Sequence, residues 1–61
     1  MWSVTAFVRQ RGAIGVFYRR HFVVNAPLGA SIDCVKDAWF AEYGEWYELE
    51  HFGPIEESAN G

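Results

Sequence analysis

The sequence predicts an α+β protein: one small domain of order ββαβ, whose three-stranded antiparallel sheet, in strand order 2-1-3, is covered on one face by a single helix. Three observations carry this. Stretches at both ends of the chain alternate apolar and polar residues with a period of two, a middle stretch repeats apolar residues at spacings of three and four, and glycine or proline punctuates the changes of period. At 61 residues the chain holds one domain, near the lower size at which a core forms without disulfides, metal or a partner. Its composition suits that demand, because 51% of the residues are apolar and three Trp, three Tyr and five Phe each remove a large area from water.

The first strand is "WSVTAFVR", with Trp2, Val4, Ala6 and Val8 on one face and Ser3, Thr5, Phe7 and Arg9 on the other. "RGAIG" then reads as a hairpin connection. A three-residue loop Ala13-Ile14-Gly15 would put Gly15 where positive φ is needed and would pair Gln10 with Tyr18, Val8 with Arg20, Ala6 with Phe22 and Val4 with Val24. The core face of the second strand is then Val16, Tyr18, Arg20, Phe22 and Val24, and the open face is Phe17, Arg19, His21 and Val23. Arg20 is anomalous on a core face, since a charged head in a dry interior is costly. Two arrangements relieve it: a place at the core rim with the stem packed and the head in water, or a β-bulge at the Arg19-Arg20 step.

From Pro27 to Tyr43, Leu28, Ile32, Val35, Trp39 and Tyr43 form one apolar helical stripe, and Asp33 and Asp37 fall away from it. Pro27 suits a first helical turn, Ser31 is a competing N-cap, and Gly44 suits the residue just past the end. "EWYELEHF" alternates again as the third strand, with Tyr47, Leu49 and His51 on the core side and Trp46, Glu48 and Glu50 on the open side. "GPIEESANG" reads as a turn and a solvated end, so the domain spans residues 1–55 and a flexible tail residues 56–61. A right-handed crossover through the helix makes the third strand parallel to the second, with room beside the first.

Charge divides the chain. Residues 1–30 hold Arg9, Arg11, Arg19 and Arg20 and no acid, a charge of +4, whereas residues 31–61 hold eight acids against Lys36, a charge of −7. Packed together in one domain, the halves are expected to neutralise each other. The single cysteine, Cys34, excludes an internal disulfide and fits a reducing compartment. No apolar run approaches the roughly 20 residues that span a bilayer, and the N-terminus lacks a secretion signal. A cytosolic, complete chain without membrane contact is the expectation.

No catalytic, cofactor or metal motif is present, since no His or Cys pair has ligand spacing and the chain is too short to enclose the usual reaction pocket. Catalytic, cofactor-binding and metal residues are therefore all read as none, and Cys34 as a small packing residue beside Ala38 and Ala41. Arginines interleaved with rings are what a single-stranded nucleic-acid platform uses. Glu48 and Glu50 on the same face, with an acidic helix and tail, weaken attraction to a polyanion and leave that reading second. Exposed Phe, Trp and Arg are instead the types enriched in protein interfaces, and a homodimer through the open face or an edge strand would use them too.

The run "VVNAPLGASIDCVKDAWFAEYGEWYELEHFGP" is a strand, a short polar entry, a helix ending in "YG" and a strand rich in rings and acids. In layout it resembles small accessory proteins of bacteriophages, among them the ββαβ phage inhibitor of bacterial RNA polymerase, and in size and charge anti-CRISPR proteins. The resemblance implies a non-enzymatic inhibitor that occupies a surface of a host bacterial complex, RNA polymerase or a defence system, in the bacterial cytoplasm. The expected contact residues are Asp33, Asp37, Glu48 and Glu50 toward a basic surface, with Phe7, Phe17, Arg19 and Trp46 as anchors.

Overall fold

Strong alternation at the start of the chain makes β1, Trp2–Gln10, the organising element of the computed structural model, which describes residues 1–58. Its inward residues Trp2, Val4, Ala6 and Val8 are all buried, because β1 is the central strand of a sheet of order β2-β1-β3. β2 spans Tyr18–Val24, α1 Ile32–Tyr43 and β3 Tyr47–Glu57. Both outer strands run antiparallel to β1, and the α+β class, strand order and single helix are those expected from the sequence.

The β1–β2 register differs from the expected one by two residues. Val8 pairs with Tyr18, Ala6 with Arg20, Val4 with Phe22 and Trp2 with Val24. The connection is therefore longer than three residues. It opens with a turn in which the Ala13 N–H donates to the Gln10 carbonyl at 3.0 Å, Gly12 taking φ 86° at the position where a type II turn needs it. A shift of two preserves the faces, so Phe22 and Val24 are buried as expected. The β1–β2 pairing has no bulge, and Arg20 stands exposed at the core rim with its guanidinium carbon 5.2 Å from the ring centres of both Phe22 and Tyr47.

Ser31, rather than Pro27, begins the helix. Its side chain accepts from the Cys34 N–H at 3.2 Å, while Pro27 opens a separate turn closed by the Ala30 N–H, with Gly29 at φ 77°. Leu28 consequently lies outside the helix and is exposed, and Ile32 is also largely exposed. Val35 and Trp39 are the stripe residues that are buried. Cys34 is exposed, which corrects the packing role expected for it, because it lies on the solvent side of the first turn. Gly44 follows the helix in right-handed conformation, so a left-handed cap is not its role. Space is: a Cβ there would lie 2.5 Å from the Phe40 carbonyl oxygen.

β3 departs most from its expected form. Leu49 pairs with Val8, but His51 pairs with Phe7 and Ile55 with Val4, so extra residues enter at Glu50 and at Gly53–Pro54. The first shift turns His51 onto the open face and brings Phe52 to the core, where Tyr47, Leu49, Phe52 and Ile55 are partly buried. The expected turn at Gly53 is thus a bulge inside a continuing strand. Glu56 and Glu57, assigned to the tail, pair with Ser3 and Trp2, and the Glu57 carboxylate accepts from the Gly29 N–H at 2.8 Å. Residues 59–61 of the expected tail lie outside the described residues.

Trp39 is the centre of the core. Phe22, Phe40 and Phe52 meet its ring edge-on at 5.2–5.5 Å, and its indole N–H has no hydrogen-bond partner among the described residues. Trp2, at the margin, donates its indole N–H to the Pro27 carbonyl at 3.1 Å and fastens β1 to the β2–α1 connection. The helix end is closed from the sheet: Arg11 donates to the Gly44 carbonyl at 2.8 Å and the Tyr47 carbonyl at 3.0 Å, supplying the cation and donors that the last helical turn lacks.

Candidate functional site

Phe7, Arg9, Arg19, His21, Glu48 and His51 share the open face, with Phe17 beside it, and several of these side chains are engaged with one another. Arg9 donates to Glu48 at 3.1 Å and to the Gly15 carbonyl at 2.9 Å, and lies 4.5 Å over the Phe17 ring. Phe7 stacks on His51 at 4.3 Å. Thr5 is buried on this face, its hydroxyl 2.9 Å from His21 Nδ1 and the backbone of Gly53 against its methyl. Glu50 pairs with His51 at 3.3 Å across two exposed side chains.

Charge neutralisation between the halves of the chain is narrower than expected. Among the described residues Arg9–Glu48 is the one arginine–carboxylate pair, and Arg11, Arg19 and Arg20 have no carboxylate partner. Arg11 is engaged with backbone carbonyls, and Arg20 donates to the Tyr47 hydroxyl oxygen. Arg19 is exposed on the open face. Asp33 and Asp37 are exposed on the helix, which covers the other face, so the expected contact residues do not form one surface.

Trp46 belongs to neither layer. It lies in the turn between α1 and β3, is 66% exposed, and its carbonyl accepts from the Arg11 N–H at 3.0 Å. With Gln10, Arg11, Tyr43 and Tyr47 it lines an open groove of about 540 Å³. The β1–β2 connection leaves the sheet at this same end and carries Ile14 and Val16, 102% and 86% exposed. Large apolar side chains held in water by a folded domain mark contact surfaces when they gather in one region. The sequence points to Trp46 but not to the groove or to Ile14 and Val16; aliphatic residues on either side of the loop residue Gly15 are the available signal.

The Tyr43 hydroxyl completes the site. Tyr43 donates to the Val23 carbonyl at 2.7 Å, and burial, followed by the nearby Glu42 charge, raises its pKa, while Arg20 pulls it down. Among the described residues no group of His, Cys, Asp and Glu could hold a metal ion, and no helix is long and apolar enough to cross a membrane. No protein-family model matches the chain, and no curated protein or solved structure matches it.

Proposed function

We propose that this chain is a non-enzymatic protein-binding module that meets its partner with the sheet end carrying Ile14, Val16 and Trp46. The supporting observation is the exposure of Trp46 at the lip of the aromatic groove, at the same end of the sheet as the exposed Ile14 and Val16. Trp, Tyr and Arg are the usual anchors of protein interfaces, and aliphatic side chains have no role against phosphate. The target class, a bacterial complex such as RNA polymerase or a CRISPR-type defence assembly blocked by occupation of its surface, rests on the layout resemblance alone.

Affinity capture from a bacterial lysate with the wild type and Trp46→Ala tests the proposal. A partner retained by the first, and bound about 1 to 3 kcal/mol more weakly by the second, supports it. A single-stranded nucleic-acid reading draws on Arg11, Arg19 and Arg20, which lack carboxylate partners among the described residues. Sub-micromolar, salt-sensitive binding of a labelled oligonucleotide, strengthened by Glu48→Gln with Glu50→Gln, would replace the first reading by that one.

A further inference from the structure

The two edges of the sheet are not equivalent. β3 shifts register at Glu50 and at Gly53–Pro54, contains a proline, and carries Glu48, Glu50, Glu56 and Glu57. Bulges, proline and charge are the devices that blunt an edge against further pairing. β2 has neither bulge nor proline nor acid, and its register against β1 is unbroken from Tyr18 to Val24. Beyond its ladder to β1, the backbone of β2 has one hydrogen-bond partner among the described residues, the Tyr43 hydroxyl at the Val23 carbonyl. Its side chains include Arg19, Arg20 and His21, all exposed and none with a carboxylate partner among the described residues.

We infer that β2 accepts an extended acidic segment of a partner protein as a fourth strand of the sheet. Main-chain hydrogen bonds along the free edge supply the register, and carboxylates at cross-strand positions meet Arg19 on the open face and Arg20 at the core rim. Charge selects this occupant over a second copy. Two β2 strands side by side would gather four arginines and two histidines in one ladder without an acid. The β3 of a copy would bring acids but an irregular edge. The arginines that keep the strand from pairing with itself are thus the groups that choose its partner.

The inference takes its partner class from the protein-binding reading and places a second contact beside it. The probe is an acetylated peptide VTEEVTV, whose adjacent glutamates point to opposite faces as Arg19 and Arg20 do, compared with its lysine counterpart VTKKVTV and with two forms N-methylated along one edge or the other. Titration is followed by anisotropy and by amide exchange of β2. The acidic peptide should bind, weaken with salt and protect β2 amides. One N-methylated form should lose on the order of tenfold or more in affinity while the other keeps it, since a strand pairs through one edge. Arg19→Glu with Arg20→Glu, both exposed, should reverse the preference toward the lysine peptide.

Absence of binding up to about 1 mM, an affinity below the useful range, overturns the inference. So does equal binding of both N-methylated forms, which reduces the contact to charge; tighter binding of an oligothymidylate at the same arginines; or a dimeric mass in sedimentation whose interface protects β2. Trp46→Ala should leave peptide binding unchanged. A lysate partner that depends on Trp46 but ignores Arg19→Glu would keep the protein-binding reading and remove the added strand.

Discussion

Phe7 and His51 stack with ring centres 4.3 Å apart and planes 21° from parallel, although simple alternation would put them on opposite sides of the sheet. Glu50 is the reason: one extra residue in β3 inverts the facing of everything after it. Deleting Glu50 should remove the bulge and leave His51 opposite Phe7 and Phe52 in the core, because Leu49, His51 and Phe52 then alternate against Val8, Phe7 and Ala6 without an extra residue. Because the core keeps Phe52, the expected loss is under about 1 kcal/mol, read from urea unfolding, and a loss of about 2 to 4 kcal/mol, the scale of removing a large apolar side chain from a core, would mean that Phe52 had been turned out.

Trp39→Ala should cost about 3 to 5 kcal/mol, because the ring is fully buried against Phe22, Phe40, Tyr43 and Phe52. Trp39→Phe should cost less than about 2 kcal/mol, since it also removes a buried N–H that has no partner among the described residues. Thermal unfolding of the two variants checks the order. A Phe variant as unstable as the Ala variant would mean that the indole nitrogen is satisfied in solution.

Tyr43 makes stability sensitive to alkali. Its pKa is raised in the folded state, first by burial, so the folded chain holds that proton more tightly than the unfolded chain does. The contribution is fully present below the ordinary tyrosine range and is lost as pH rises through the folded-state value. Tyr43→Phe should remove this alkaline loss and cost about 0.5 to 1.5 kcal/mol at neutral pH through the hydrogen bond to Val23. Denaturant midpoints of both proteins across pH 9 to about 11 make the measurement.

Gly53 is required by a neighbour rather than by its own dihedral angles. A Cβ at this position would lie 3.1 Å from Thr5 Cγ2 and 3.3 Å from Thr5 Cβ. Gly53→Ala should destabilise by about 1 to 3 kcal/mol through overpacking. Thr5→Ser deletes the crowded methyl and keeps the hydroxyl toward His21, so the double variant should recover part of the loss in a double-mutant cycle.

Where each face depends on period alone, the sequence was legible. Trp2, Val4, Ala6 and Val8 face inward as alternation requires, and Val35 and Trp39 do so as helical spacing requires. The β1–β2 pairing was misplaced by two residues because loop length, unlike facing, leaves no trace in a period of two. β3 was misread past Leu49 because a bulge is a backbone event without a fixed side-chain signature, and "GP" ordinarily signals a turn. Trp46 stood out in the sequence as an exposed ring, but its groove depends on Arg11 reaching across to the Gly44 carbonyl, a contact between residues 33 positions apart.

The pairing of Trp2 with Glu57 also governs when this chain can fold. The strand synthesised first occupies the middle of the sheet, and one of its two neighbours is synthesised last. A ribosome-bound chain can zip the β1–β2 hairpin early, yet it must leave the other side of β1 unpaired until β3 has emerged. Closing that long loop is entropically slow, and sheets built from sequence-distant strands fold late for this reason. During that interval the unpaired backbone edge of β1 stands open to other chains, so slower docking of β3 should lengthen the time in which the chain can pair with its neighbours instead.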